Sequence, residues 1–197
     1  MKYMKSFKEK FRDYPVFTIK DARLFFEKSG ATKQYVYTTI HNLLKSEEIK
    51  KITRGIYTFH EDVTVVGFAF SPFYYGLQDA LSWRNIWEQE VNPIVVTPRK
   101  MRTGVRSFLG RNYLVRHIEK AMFFGIDSLK QGNSWIPVSD PEKTLIDFVY
   151  YKEPIPEPVL DELLSTIKID ILNEHLEHVS RSVANRVREI LKKVNTS

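Results

Sequence analysis

The chain of 197 residues contains no cysteine, which excludes disulfide bonds, thiolate metal sites and a cysteine nucleophile. It also lacks any run of about 18 consecutive apolar residues, the length that a membrane-spanning helix requires. The amino-terminal segment is basic but has no apolar core of the kind found in signal peptides. These absences predict a cytoplasmic protein that has no membrane partner.

Signatures of common enzymes are missing as well. The chain has neither the glycine-rich loops of phosphate- and dinucleotide-binding folds nor the Gly-x-Ser-x-Gly turn of hydrolases. Its five histidines follow no recognised metal-ligand spacing. His175 and His178, beside Glu174, are more typical of a surface helix than of a metal site. We therefore expect no catalytic residues, no cofactor and no bound metal.

Positive charge is concentrated in two segments of a chain whose formal net charge is +6. Residues 1–60 hold 13 Lys or Arg against 6 Asp or Glu, and residues 98–120 hold 7 against 1. The segments 61–97 and 121–197 are acidic overall. Clustered cations favour a polyanionic partner, because each phosphate that they neutralise releases counterions.

Residues 18–57 follow the order of elements that is typical of a winged helix-turn-helix. Thr18, with Asp21 in the first turn, predicts the start of a short helix, and Thr32 predicts the start of a second one. A basic two-stranded hairpin follows, with its turn at Arg54-Gly55. A DNA-binding domain is therefore predicted for this part of the chain.

The second helix has an apolar face and an opposite face rich in polar side chains. Such side chains, together with those of the hairpin, can contact the phosphates and base edges of duplex DNA. The predicted DNA-binding residues are Lys33, Gln34, Tyr35, Thr38, His41, Asn42, Lys45, Lys50, Lys51, Thr53 and Arg54. Two alternatives stay open: an ordinary solvated helix face in a small α/β domain, and a winged helix that docks a protein.

A polar break at residues 60–62 places the predicted domain boundary, which gives a DNA-binding domain over 1–60 and an α/β domain over 61–197. The predicted elements of the second domain are helices opening at Ser71-Pro72 and at Asp140-Pro141, strands at 93–97, 113–118, 123–126 and 134–138, and helices near 157–168, 169–179 and 181–194. The expected fold class is α+β and helix-rich: an N-terminal winged helix-turn-helix, then an α/β domain closed by C-terminal helices.

Two features of the second domain have competing interpretations. The central basic segment is a second phosphate-binding surface, a solvated rim or a docking site for an acidic protein. Its candidate surface residues are Arg99, Lys100, Arg102, Arg106 and Arg111. Asp140 and Glu142 resemble paired carboxylates for metal-assisted chemistry. Their spacing around Pro141 fits a helix cap better.

Several motifs together resemble the AbiEi-type antitoxins of abortive-infection (type IV) toxin–antitoxin systems and the related viral-defence regulators. They are Ile52–Tyr57, Ser71-Pro72 leading to Gly76–Leu81, Pro93–Thr97 and, most distinctively, Ile136–Asp147. The resemblance covers roughly residues 15–192. The chain departs from the family at Ser82–Asn85, where members often carry a His-Gly pair.

The resemblance implies an N-terminal domain that binds duplex DNA at its own promoter and represses its operon. It also implies a C-terminal domain that counters a co-encoded toxin of the nucleotidyltransferase type, with the Asp140–Asp147 motif in a structural role. Two other functions stay open: a stand-alone winged-helix transcription factor whose C-terminal domain senses or dimerises, and a DNA-binding enzyme of the nuclease type. The nuclease alternative lacks an Asp…Glu-x-Lys core in the β-rich region.

Overall fold

The computed structural model describes residues 2–28, 30–131 and 134–194. Ser29, at a predicted helix end, and Gly132 and Asn133, in a predicted turn, lie outside the described residues. The chain divides into two compact units. Unit 1 comprises Met1–Ser71 and Ser107–Arg111, and unit 2 comprises Pro72–Arg106 and Asn112–Ser197.

Unit 1 is built from helices and a small antiparallel sheet. Its elements are α1 (Lys2–Phe11), β1 (Phe17–Thr18), α2 (Ile19–Glu27), α3 (Lys33–Lys45), β2 (Lys50–Thr53), β3 (Ile56–Thr58) and a 3₁₀ helix over Val63–Phe70. The three strands pair antiparallel in the order β1-β3-β2. Gly55, at φ +75°, occupies the turn between β2 and β3, a conformation that glycine adopts without strain.

Local hydrogen bonds fix where the helices of unit 1 begin. Asp21 N donates to Thr18 Oγ1 at 3.1 Å, and Thr18 N donates to Asp21 Oδ2 at 2.8 Å, which forms a reciprocal capping box. The predicted start of α2 is thereby confirmed. The four-residue spacing of Phe7 and Phe11, with Pro15 beyond them, predicts a first helix over residues 5–14. These bounds are wrong, because α1 spans Lys2–Phe11.

Phenylalanine rings fill the core of unit 1. Phe7 is fully buried, and its ring centroid lies 4.9–5.5 Å from those of Phe11, Phe17, Phe25 and Phe26. Tilted, edge-on and stacked contacts of this kind add to the free energy gained by burying the rings. This cluster joins α1, α2 and the start of the sheet.

Unit 2 opens differently from the sequence prediction. The expected helix at Ser71-Pro72 is wrong, because the chain forms strand β4 (Tyr74–Tyr75) there and helix α4 (Gln78–Trp83) only later. Tyr74 and Tyr75 pair with β5 (Ile94–Thr97) on one side, and Tyr75 pairs with Val138 on the other. This pairing outweighs the local preference of Pro72 for the first turn of a helix.

Six strands form a second sheet, of mixed direction, and most of its residues belong to unit 2. Besides β4 and β5 it contains β6 (Gly104–Phe108), β7 (Arg111–His117), β8 (Ile126–Gln131) and β9 (Ser134–Ser139), in the order β6-β7-β5-β4-β9-β8. The β4–β5 and β8–β9 pairs are antiparallel, whereas β5–β7 and β4–β9 are parallel. The strand expected at 123–126 begins only at Ile126, after a short 3₁₀ helix at Lys120–Met122.

Four helices complete unit 2: α5 (Pro141–Tyr151), α6 (Glu157–Thr166), α7 (Ile169–Glu177) and α8 (Arg181–Val194). Helix α5 is central, because it packs on α6, α7, α8 and β9. It ends at Lys152, whose φ of +56° is the left-handed conformation common at helix ends. The mixed α+β class is confirmed. Among the described residues, no helix is long and apolar enough to cross a membrane.

Candidate nucleic-acid interface

Helix α3 presents one face to the core and the other to solvent. The face buried in the core of unit 1 consists of Val36, Thr39, Ile40 and Leu43. At its start, Tyr35 N donates to Thr32 Oγ1 at 3.2 Å, which confirms the predicted cap. The helix is therefore held along its whole length by side chains that leave its opposite face uncovered.

Every predicted DNA-binding residue of α3 is exposed: Lys33, Gln34, Tyr35, Thr38, His41, Asn42 and Lys45. Gln34, Thr38, His41 and Lys45 are three or four positions apart and so lie on one face. Tyr35 is displaced from that row, and its ring packs edge-on against Phe26, with centroids 5.5 Å apart.

Tyr37 is not among the predicted DNA-binding residues, yet it is 53% exposed on α3. It lies four positions before His41, on the edge of the same polar face. The missed signal was this spacing, because an aromatic residue next to Val36 resembles a core position when only hydrophobicity is considered.

The hairpin β2–β3 brings only some of its predicted residues to the surface. Lys51 and Arg54 are exposed, with Arg54 in the turn, and Thr53 is half-buried. Lys50 differs: its Nζ donates to the backbone oxygen of Glu47 at 2.8 Å and lies 3.5 Å from a carboxylate oxygen of Glu61. Its charge is therefore balanced within unit 1.

The central basic segment is less uniform than its composition indicates. Arg99, Lys100, Arg102 and Arg111 are exposed, whereas Arg106 is half-buried and donates to the backbone oxygen of Arg102 at 2.7 Å. Arg111 belongs to unit 1, while the other four belong to unit 2. The structure thus groups only those four within one unit.

Asp140 starts helix α5 as its N-cap, as the sequence predicts. Its Oδ1 accepts from Lys143 N at 2.6 Å, and its Oδ2 lies 2.8 Å from His175 Nε2. His175 is therefore tied to the cap and largely buried, so its interpretation as an ordinary surface histidine is wrong. The neighbouring His178 is exposed.

Glu142 has a role that its position in the first turn of α5 did not reveal. It is 2% exposed, and its Oε1 accepts from the backbone nitrogen of Lys168 at 2.6 Å. Lys168 is the N-cap residue of α7, so this carboxylate satisfies an amide that the helix itself leaves unpaired. Both acids of the motif thus bind helix starts.

A buried polar cluster lies behind these caps. Lys143 and Asp147 are both fully buried and form an ion pair one helical turn apart. Tyr74 OH donates to Asp147 Oδ2 at 2.8 Å and accepts from Lys143 Nζ at 3.0 Å. Burial lowers the pKa of Lys143 and raises the pKa of Asp147, while their mutual attraction opposes both shifts.

The geometry of the Asp140–Asp147 motif is that of a structural element. Its polar side chains bond to backbone groups, to each other, or to Tyr74, Ser139 and His175, and Lys143 and Asp147 are fully buried. Within the described part of the chain, no group of three His, Asp or Glu side chains could hold a metal ion.

Comparison with known proteins identifies a solved structure of similar fold. No protein family and no curated protein matches the chain in sequence. Among solved structures, the chain is similar to the crystal structure of the RV2827C protein from Mycobacterium tuberculosis, with a TM-score of 0.65 and 14% sequence identity. The match covers 98% of this chain and 77% of that one. At this identity the likeness is one of fold.

Proposed function

We propose that residues 1–60 form a winged helix-turn-helix that binds duplex DNA. The observation that carries the proposal is the outer face of α3, which is polar and exposed while its inner face is anchored in a phenylalanine-rich core. In this proposal α3 enters the major groove, and the hairpin β2–β3 is the wing that contacts the phosphate backbone.

The chemistry of the exposed side chains assigns them different tasks. Amides such as those of Gln34 and Asn42 offer a paired donor and acceptor that match an adenine edge. Lys45, Lys51 and Arg54 are exposed cations, which we assign to contacts with phosphates. Lys50 is excluded from this group because Glu47 and Glu61 already balance its charge.

We further propose that the protein is an antitoxin that represses its own operon and counteracts a co-encoded nucleotidyltransferase-like toxin in the cytoplasm. The support is the resemblance of the Ile136–Asp147 motif to AbiEi-type antitoxins, together with the basic loop of unit 2. Arg99, Lys100 and Arg102 are exposed there and offer charge to an acidic partner.

Mobility-shift titrations on the chain's own promoter, repeated over a range of salt concentrations, test the DNA-binding proposal. With four to six phosphate contacts, log K should fall with log salt at a slope of about −4 to −5. Lys51→Ala and Arg54→Ala should each make that slope shallower by about 1. Gln34→Ala should instead change the preference among DNA sequences.

The matched control is Lys50→Ala, which removes an adjacent lysine whose charge is already compensated. Its slope should stay close to that of the wild type. Binding that ignores salt, or an equal loss at Lys50 and Lys51, would contradict the assignment of phosphate contacts to the wing.

Rescue of cells from the co-encoded toxin tests the antitoxin proposal. Arg99→Glu with Lys100→Glu should impair rescue and leave the melting temperature nearly unchanged, because exposed charges contribute little to stability. Reversal of two exposed arginines of α8, Arg181→Glu with Arg188→Glu, is the control and should leave rescue intact. Full rescue by the first variant would remove the basic loop from the proposal.

A further inference from the structure

Unit 2 contains a cavity of about 380 Å³ between the start of α4, the segment 87–92 and the strands β5, β6 and β7. This volume lies within the range of small-molecule sites, about 300–1,000 Å³. None of the residues that the proposed DNA-binding face uses lines it. The cavity is therefore separate from the proposed DNA-binding face.

The lining of the cavity combines one large aromatic ring with several carboxamides. Trp87 is half-buried and supplies an indole surface. The carboxamides belong to Gln78, Gln89, Asn92 and Asn112. The rest of the wall is largely apolar and consists of Val91, Ile94, Val105, Tyr113 and Leu114, together with Glu90.

We propose that this cavity binds a nucleobase or a nucleoside. A carboxamide has two N–H donors and one carbonyl acceptor side by side, which is the pattern that the edge of a nucleobase complements. An aromatic ring stacks on any base, because every base has a π face. Trp87 supplies the stacking surface, and the carboxamides supply the groups that read the edge.

The charge of the lining sets the class of ligand further. Among the described residues that line the cavity there is a carboxylate, Glu90, and there is neither a lysine nor an arginine. A phosphate group would therefore lose its hydration without a lysine or arginine of the lining to replace it. The cavity selects a neutral nucleoside or free base over a nucleotide. This preference is opposite to that of the basic face on α3, so the proposal does not depend on DNA binding.

Isothermal titration calorimetry with the full-length chain tests the proposal directly. The ligands are the four common ribonucleosides, their free bases, their 5′-monophosphates and ribose, each titrated separately. At least one nucleoside or base should bind at a single site, and its 5′-monophosphate should bind about tenfold more weakly or not at all. Ribose should not bind. The relative affinities of base and nucleoside identify which of the two is the ligand.

Substitutions of lining residues test whether the ligand binds in this cavity. Trp87→Ala should weaken affinity about tenfold or more, the loss that follows when a base no longer stacks on a ring. Asn112→Ala and Gln89→Ala change exposed side chains, so they keep the fold while removing groups that read the base. Trp135→Ala is the matched control, because Trp135 is 61% exposed and does not line the cavity.

Three results would overturn the proposal. The first is the absence of binding by every nucleoside and base up to millimolar concentration. The second is a 5′-monophosphate that binds as tightly as its nucleoside. The third is wild-type affinity in both Asn112→Ala and Gln89→Ala.

Discussion

The two units bury different kinds of side chain at their centres. In unit 1 the rings around Phe7 pack against one another. In unit 2 the central helix α5 carries Lys143 and Asp147, both fully buried beside a large apolar cluster. Hydrocarbon packing is non-directional and tolerates exchange of similar volumes, whereas buried charges need every partner in place. The difference predicts that unit 2 depends more sharply on single polar atoms.

Among the changes considered, removal of one partner of the buried Lys143–Asp147 pair should have the largest effect on stability. Lys143→Met should lower the free energy of unfolding of unit 2 by about 3–5 kcal/mol, because Asp147 is left without its counter-charge. Tryptophan fluorescence in urea measures this, since Trp83, Trp87 and Trp135 all belong to unit 2.

A double variant shows whether the loss comes from the unpaired charge. Lys143→Met with Asp147→Leu should recover most of the stability, because apolar replacement of a whole buried pair is often neutral or favourable. Arg186→Ala breaks an exposed pair with Glu189 and should cost less than about 1 kcal/mol. A small loss for Lys143→Met alone would mean that unit 2 does not rely on the pair.

A second buried acid gives unit 2 a dependence on pH. Burial raises the pKa of Asp79 to about 7, although hydrogen bonds from Ile94 N and Trp83 favour its charged form. The folded state then holds a proton that the unfolded state releases between about pH 4 and 7. The stability of unit 2 should therefore fall as pH rises through this window and level off above it.

Asp79→Asn removes this titration. The stability of the variant relative to wild type should rise between pH 5 and pH 8, with about 4 kcal/mol as an upper bound for the whole window. Urea titrations followed by tryptophan fluorescence at several pH values provide the measurement. An equal difference between the two proteins at every pH would show that Asp79 does not titrate there.

The smallest expected effect belongs to the helix caps of unit 1. Thr18→Ala removes one half of the capping box at α2 and should cost about 1 kcal/mol. Thr32→Ala should cost less, because its cap on α3 lacks the reciprocal carboxylate and its hydrogen bond is 3.2 Å long. Hydrogen exchange of the α2 and α3 amides measures the stability loss of each variant separately. A larger loss at Thr32 would reverse this ranking.

What the sequence predicted well is local in the chain. The starts of α2, α3 and α5 depend on hydrogen bonds between residues three positions apart, and Thr18, Thr32 and Asp140 are recognisable from their neighbours alone. The polar face of α3 follows from helical spacing in the same way. Such features need no knowledge of the rest of the fold.

What the sequence did not predict depends on distant partners. Strand β4 exists because Tyr74 and Tyr75 pair with strands that follow much later in the chain. The contact of Lys143 with Tyr74 crosses 69 positions, so no local pattern in the sequence indicates it. The ion pair of Lys50 with Glu61 likewise depends on the fold and could not be predicted from neighbouring residues.

Gly125 has a consequence for how this chain can evolve. Its φ is +63°, and a Cβ atom there would lie 2.7 Å from His175 Nε2 and 2.9 Å from Asp140 Oδ2. A side chain at this position would separate the histidine from the cap that it supports. Changes at Asp140 and His175 would not by themselves open position 125 to other residues, because Lys143 Cβ would lie 2.8 Å from the added Cβ and the positive φ still favours glycine.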